Sequence, residues 1–233
     1  MLRRLHKCGL GFLVLVPVFV TFGCGGSGGS TQLRVLAASP DETNVQVLVD
    51  NTAVGSPLAY QANTGYLPVH SGNREFAIEA VGTTTNLVPN QATLSLDNDT
   101  ETTVILAGFS SSLQGLVLTD NNTTPASNTV NVRIVNAAPG LQAVDVYIVP
   151  PGTSLSSVEP NITNLAFAQA SEYKNLNVGT STNYQVYFTQ VGTPFTYLDT
   201  GPISFTSGQN RTIVGLNSTS GGSYTFVTLK DLN

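Results

Sequence analysis

Between Val45 and Asp50 the chain alternates, with Val45, Val47 and Val49 apolar and Gln46, Leu48 and Asp50 between them. A period of two is that of a half-buried β-strand. Further along, Tyr184, Val186 and Phe188 share one face and Gln185, Tyr187 and Thr189 the other. Ala92–Leu96 and Thr103–Leu106 flank Asp97-Asn98-Asp99, a spacing that predicts a hairpin. These runs are rich in Val, Thr, Tyr and Phe, and no stretch holds a helical period for long. Short strands at roughly 8 to 12 residue intervals predict an all-β sandwich or barrel.

The pattern also repeats. Leu33-Arg34-Val35-Leu36-Ala37-Ala38-Ser39-Pro40 lines up with Val132-Arg133-Ile134-Val135-Asn136-Ala137-Ala138-Pro139, 99 residues later. Asn44–Val49 matches Ala143–Ile148 at the same spacing. Leu58-Ala59-Tyr60 and Tyr66 match Leu165-Ala166-Phe167 and Tyr173 at a spacing of 107, so the second copy carries eight more residues, within the turn-rich Pro150–Asn164. The copies end alike, in Leu116–Asp120 and Val227–Asp231. Such a period is too long for a solenoid unit of about 20 to 50 residues, so each copy is expected to be a whole domain. The expected fold is therefore two tandem immunoglobulin-like β-sandwich domains of seven or eight strands, at 31–121 and 130–233, joined by a polar linker at 122–129. Residues found in both copies, such as Arg34/Arg133 and Tyr66/Tyr173, read as scaffold.

The start of the chain has another character. Arg3, Arg4 and Lys7 precede an apolar run from Leu10 to Phe22, as in a secretory signal over residues 1–23. The run falls short of the roughly 20 residues that span a bilayer and contains Pro17. Cys24 follows Gly23 and opens a Gly/Ser stretch to Ser30, the layout of a lipidated cysteine with a flexible tether at 24–30. Thr21 and Phe22 depart from the usual residues before such a cysteine, and simple secretion is the plainer alternative. Gly25 in place of Asp leans the anchor toward the outer membrane or surface.

Within the repeat, Arg34–Asp41, the strand Val45–Asp50 and then Leu58-Ala59-Tyr60 resemble the bacterial exported domain-of-unknown-function family 4397, in which an Arg strand leads to Ala-Ser-Pro-Asp and a Val-Asp-Val-Tyr-like strand. The second copy keeps Val144-Asp145-Val146-Tyr147 but has Ala138-Pro139-Gly140 where the first has Ser-Pro-Asp. The resemblance covers nearly all of 31–233. It implies a β-sandwich, extracytoplasmic placement and tandem copies, and it implies no activity.

Composition then removes chemistry. Cys8 and Cys24 are the only cysteines, so a chain beginning at Cys24 has no internal disulfide and no cysteine metal site. Without the signal, six basic residues face 14 acidic ones, and a net charge of −8 argues against nucleic acid as a partner. His70 is the one histidine outside the signal, and it stands before Ser71-Gly72 as a turn histidine rather than a triad base. The match of Gly25–Gly29 to a nucleophile elbow lies in the flexible leader and lacks its strand-to-helix context.

Two features point to ligands. Residues 31–121 carry a net charge of −7, with Asp97, Asp99 and Glu101 alternating along one stretch as candidate oxygen ligands for calcium, the one cofactor the sequence suggests. Acidic turn residues serve turn geometry equally well. The second copy holds eleven aromatics against four in the first, and Tyr187 and Tyr197 are candidates for stacking on a sugar or a partner protein. Cross-strand packing is the ordinary use of such rings. The reading is thus a non-catalytic envelope lipoprotein, held to the membrane through Cys24, serving as a surface spacer or protein-interaction module. The alternatives are a module for extracellular polysaccharide and a calcium-binding adhesion-type domain.

Overall fold

The structure, a computed structural model, describes residues 29–179, 181–219 and 222–232. The signal-like segment and Cys24 lie outside these residues. The N-terminal half holds β1 (Ser30–Ala38), β2 (Asn44–Val49), β3 (Thr52–Ala59), β4 (Leu67–His70), β5 (Gly72–Ala80), β6 (Thr93–Leu96), β7 (Glu101–Ala107) and β8 (Gln114–Thr119). The C-terminal half holds β9 (Thr129–Asn136), β10 (Val144–Val149), β11 (Ile162–Leu165), β12 (Gln169–Ala170), β13 (Lys174–Asn177), β14 (Ser181–Gln190), β15 (Thr196–Thr206), β16 (Asn210–Asn217) and β17 (Tyr224–Leu232). The fold is an all-β sandwich.

Four sheets carry these strands, in the orders β3-β2-β5-β6, β4-β1-β7-β8, β12-β9-β16-β17 and β11-β10-β14-β15, with β13 also on β9. In each half the first strand pairs in parallel with a later one, β1 with β7 and β9 with β16. β12, which brings the strands of the second half to nine against eight in the first, is two residues long. Its counterpart in the first half is the isolated bridge between Leu36 and Asn63.

Three apolar cores separate the four sheets. Val35, Val47, Phe76, Ile78, Leu96 and Val104 belong to the core of the first half. Val132, Val146, Val186, Phe188, Phe205 and Ile213 belong to that of the second. Leu36, Ile105, Val135, Val214, Leu216 and Leu229 form a third, which joins the sheet of β1 to the sheet of β9. The central strands of the two middle sheets, β1, β7, β9 and β16, are therefore covered on both faces. That is why Arg34–Ala38, Thr102–Ala107 and Val132–Asn136 are unbroken buried runs, whereas β2 alternates.

One expected element is corrected. Asp97-Asn98-Asp99 does not close a hairpin. β6 pairs with β5, while β7 pairs with β1 and β8 in the facing sheet. Leu94 and Leu96 enter the same core as Val104 and Leu106 from the opposite side, so the turn arches over the sandwich edge. Apolar alternation on both flanks is shared by hairpins and arches, and burial of both inner faces selects the arch.

Candidate functional site

The repeated arginines meet at the third core. Arg34, on β1, is 2% exposed. Its Nε donates to Thr103 Oγ1 at 2.9 Å and its Nη1 to the Lys230 carbonyl at 2.8 Å. Nη2 reaches Asp231 Oδ1 at 2.5 Å and Asp120 Oδ2 at 3.3 Å. Arg133, on β9, does the same in mirror fashion: Nε to Thr212 Oγ1 at 3.0 Å, Nη1 to the Thr119 carbonyl at 3.0 Å, and Nη2 to Asp120. Each arginine thus binds a threonine of its own half and the carboxylate of the other.

Each carboxylate is held in turn by its own half. Asp120 accepts from Thr103 and from the Tyr66 hydroxyl at 2.6 Å. Asp231 accepts from Thr212 at 2.6 Å and from the Tyr173 hydroxyl at 2.8 Å. The tyrosine rings also cover the guanidinium groups, with Arg34 Cζ 4.4 Å from the Tyr66 centroid and Arg133 Cζ 4.7 Å from that of Tyr173. Burial opposes the charge on Arg133, but Asp120 beside it prevails and its pKa lies above the usual guanidinium value. Burial and the neighbouring carboxylates push both tyrosine hydroxyls far above the ordinary phenol range, so they remain protonated donors. Two arginines and two aspartates balance in charge, and the arrangement satisfies the rule that a buried ion is paired and hydrogen-bonded.

Tyr60, half-buried, extends the junction by donating to the Asn217 carbonyl at 2.5 Å, and burial pushes its pKa up to about 12. Asn210 ties down the connecting segment through the carbonyls of Asn121 and Thr123, at 2.5 and 3.0 Å. The scaffold reading of Arg34/Arg133 and Tyr66/Tyr173 thus acquires a place, between the halves. Sequence reasoning missed Asp120, Asp231, Thr103 and Thr212 as their partners. The signal was there: an arginine in an apolar run needs a carboxylate, and both copies end in one.

The calcium candidates are spread out. Asp97 and Asp99 are exposed in the arch, and Glu101 is half-buried at the start of β7. Asp99 and Glu101 line a cleft of about 400 Å³ with Thr31, Pro68 and Asn122, and Asp97 is not part of its wall. Among the described residues no three His, Cys, Asp or Glu side chains gather closely enough to hold one metal ion. Glu101 Oε2 is buried without a hydrogen-bond partner among the described residues, and desolvation followed by the Asp120 charge raises the pKa of Glu101. His70 ends β4 on the surface.

The stacking candidates part company. Tyr187 lies across from Tyr147 on one side and Asp199 on the other, half-buried on the sheet face opposite Phe188. Burial and then Asp199 raise its pKa. Tyr197 is 37% exposed and sits in a row of rings. Phe195, in the turn before β15 and 62% exposed, meets it edge-on at 5.5 Å and 80°. Tyr224 meets it from the other side at 6.2 Å and 72°. The Tyr224 hydroxyl is fixed to the Gly140 carbonyl at 3.0 Å. Sequence alternation alone did not bring in Tyr224, because β17 belongs to a different sheet from β15.

The family model for a domain of unknown function, DUF4397, matches residues 31–147, which spans the first half and runs into β10. The chain belongs to the DUF4397 family. The DUF4397 match takes in Arg34, Tyr66, Thr103, Asp120 and Arg133, five members of the junction. Among solved structures, a DUF3823 family protein from Bacteroides ovatus is similar at 7% identity, over 77% of this chain and 98% of that one, with a TM-score of 0.24. No curated protein matches the chain.

Proposed function

We propose that this DUF4397 chain is a non-catalytic lipoprotein of the bacterial cell envelope, anchored through Cys24, whose two sandwich domains serve as a rigid spacer or protein-interaction module. The observation that carries the reading is the junction. A buried, charge-balanced network beneath a continuous apolar core resists bending between the halves, and stiffness is what a spacer needs. The network commits Arg34, Arg133, Asp120 and Asp231 to ion pairs and hydrogen bonds within the fold, as a structural role requires. The Gly/Ser tether after Cys24 suits a rigid body held at a surface. Metabolic labelling with a fatty acid tests the anchor: label is expected in the wild type and absent from Cys24→Ser, and equal label in both removes it.

A second reading, binding of an extracellular polysaccharide, is favoured by one observation, the exposed Phe195–Tyr197 ring pair. An exposed aromatic ring offers a rigid apolar face against which the apolar face of a sugar can pack. Affinity electrophoresis through envelope polysaccharide is the check. Retardation of the wild type that is lost in Phe195→Ala and Tyr197→Ala supports this reading, and identical mobility of all three discards it.

A further inference from the structure

The junction is built twice over from one pattern. Each half carries a carboxylate already fixed by its own threonine and tyrosine hydroxyls, and an arginine whose Nε already rests on that threonine. Beyond that threonine, Arg34 finds in its own half only Asp120 at 3.3 Å, and Arg133 is bonded to no acceptor there among the described residues, so each lacks a full second set. The other half supplies it: the carboxylate, and the carbonyl one residue before, Lys230 for Arg34 and Thr119 for Arg133. The apolar surround is equally reciprocal, with Leu36 and Ile105 from one side and Val135 and Val214 from the other. Arginine to aspartate and aspartate to arginine is the signature of an isologous, two-fold contact. A single run of chain, residues 121–128, connects the two faces.

Such a face does not register which molecule its complement comes from. We propose that the partner it fits is a second copy of this chain, with the first half of each molecule seated on the second half of the other. The exchanged dimer contains two junctions, the same number as two closed monomers, made of the same bonds. The balance between the forms then rests on effective concentration and linker strain rather than on new contacts. Crowding at a surface through Cys24 favours the dimer, and only that clause rests on the anchor proposed above.

Complementation in the otherwise intact chain tests the exchange. Arg34→Ala leaves Asp231 without its arginine in the closed monomer, and Asp231→Ala leaves Arg34 with the 3.3 Å contact to Asp120 as its carboxylate contact, beside its bonds to Thr103 and the Lys230 carbonyl. A mixed, exchanged dimer of the two variants has one wild-type junction and one lacking both groups. It therefore carries neither defect singly. Each variant alone is expected to be a monomer with a lowered unfolding midpoint. The equimolar mixture, annealed and cooled, is expected to give a 1:1 species of twice the mass by light scattering, with a higher midpoint than either component. Arg34→Ala mixed with Asp120→Ala, both changes in the first half, offers no intact junction and is expected to stay monomeric. A complementary mixture that keeps monomer mass and both low midpoints up to its solubility limit overturns the proposal. So does equal association by the control pair. Arg34→Lys with Asp231→Asn repeats the test should an alanine variant not fold.

Discussion

The two halves fill matching positions in their cores with different residues. In the first, Ile78 lies opposite Val47 in register and Leu106 opposite Ala37. At the corresponding positions of the second, Phe188 lies opposite Val146 and Gly215 opposite Asn136. A larger residue on one sheet accompanies the loss of a side chain on the other. A Cβ added at Gly215 would stand 2.8 Å from the Phe188 ring, so glycine is there to admit the ring. One backbone plan thus accepts two packings, provided that the total volume is kept.

At the junction the halves are alike in plan and unequal in detail. Asp120 accepts from both arginines, Tyr66 and Thr103, whereas Asp231 accepts from Arg34, Tyr173 and Thr212. Loss of Asp120 strips Arg133 of its carboxylate altogether. Asp120→Ala is therefore expected to cost about 3–5 kcal/mol, the range for orphaning a buried charge, and Asp231→Ala less. Urea unfolding of the two variants side by side measures this, and equal losses would remove the asymmetry.

The core comparison gives the next effect in size. Gly215→Ala is expected to destabilise by about 1–3 kcal/mol, the usual penalty for overpacking. Adding Phe188→Ile, which imports the first half's residue, is expected to recover part of that loss in a double-mutant cycle. Purely additive losses would show that ring and glycine are not coupled.

The smallest effect concerns Glu101 and its counterpart Asn210, each with a buried side-chain oxygen that has no hydrogen-bond partner among the described residues. The first half puts an ionisable group where the second has a neutral amide. Burial and Asp120 raise the folded-state pKa of Glu101, so its protonated form suits the fold and ionisation weakens it as pH rises through that value. Glu101→Gln is expected to raise the unfolding midpoint at pH 7 by about 2 °C or less, since solvent still reaches the residue. The gain should vanish below about pH 4, where glutamate is protonated in both states. A gain that persists in acid would mean that packing rather than charge is responsible.

Local pattern determined a good deal of this protein. Alternation in Val45–Val49 and in Tyr184–Thr189 marked strands with the right inner faces, because the pleat directs successive side chains to opposite sides. Correspondence at 99 residues marked Arg34 with Arg133. Tertiary structure decided what pattern cannot carry. Strand partners are chosen by burial of whole faces, so Asp97-Asn98-Asp99 became an arch, and β1 and β9 took parallel partners about 70 to 80 residues away. The third core, and the crossing of Arg34 to Asp231 across 197 residues, exist only once two finished sheets meet. A charge in an apolar run tells from sequence alone that a partner is required; only packing says which of the aspartates it is.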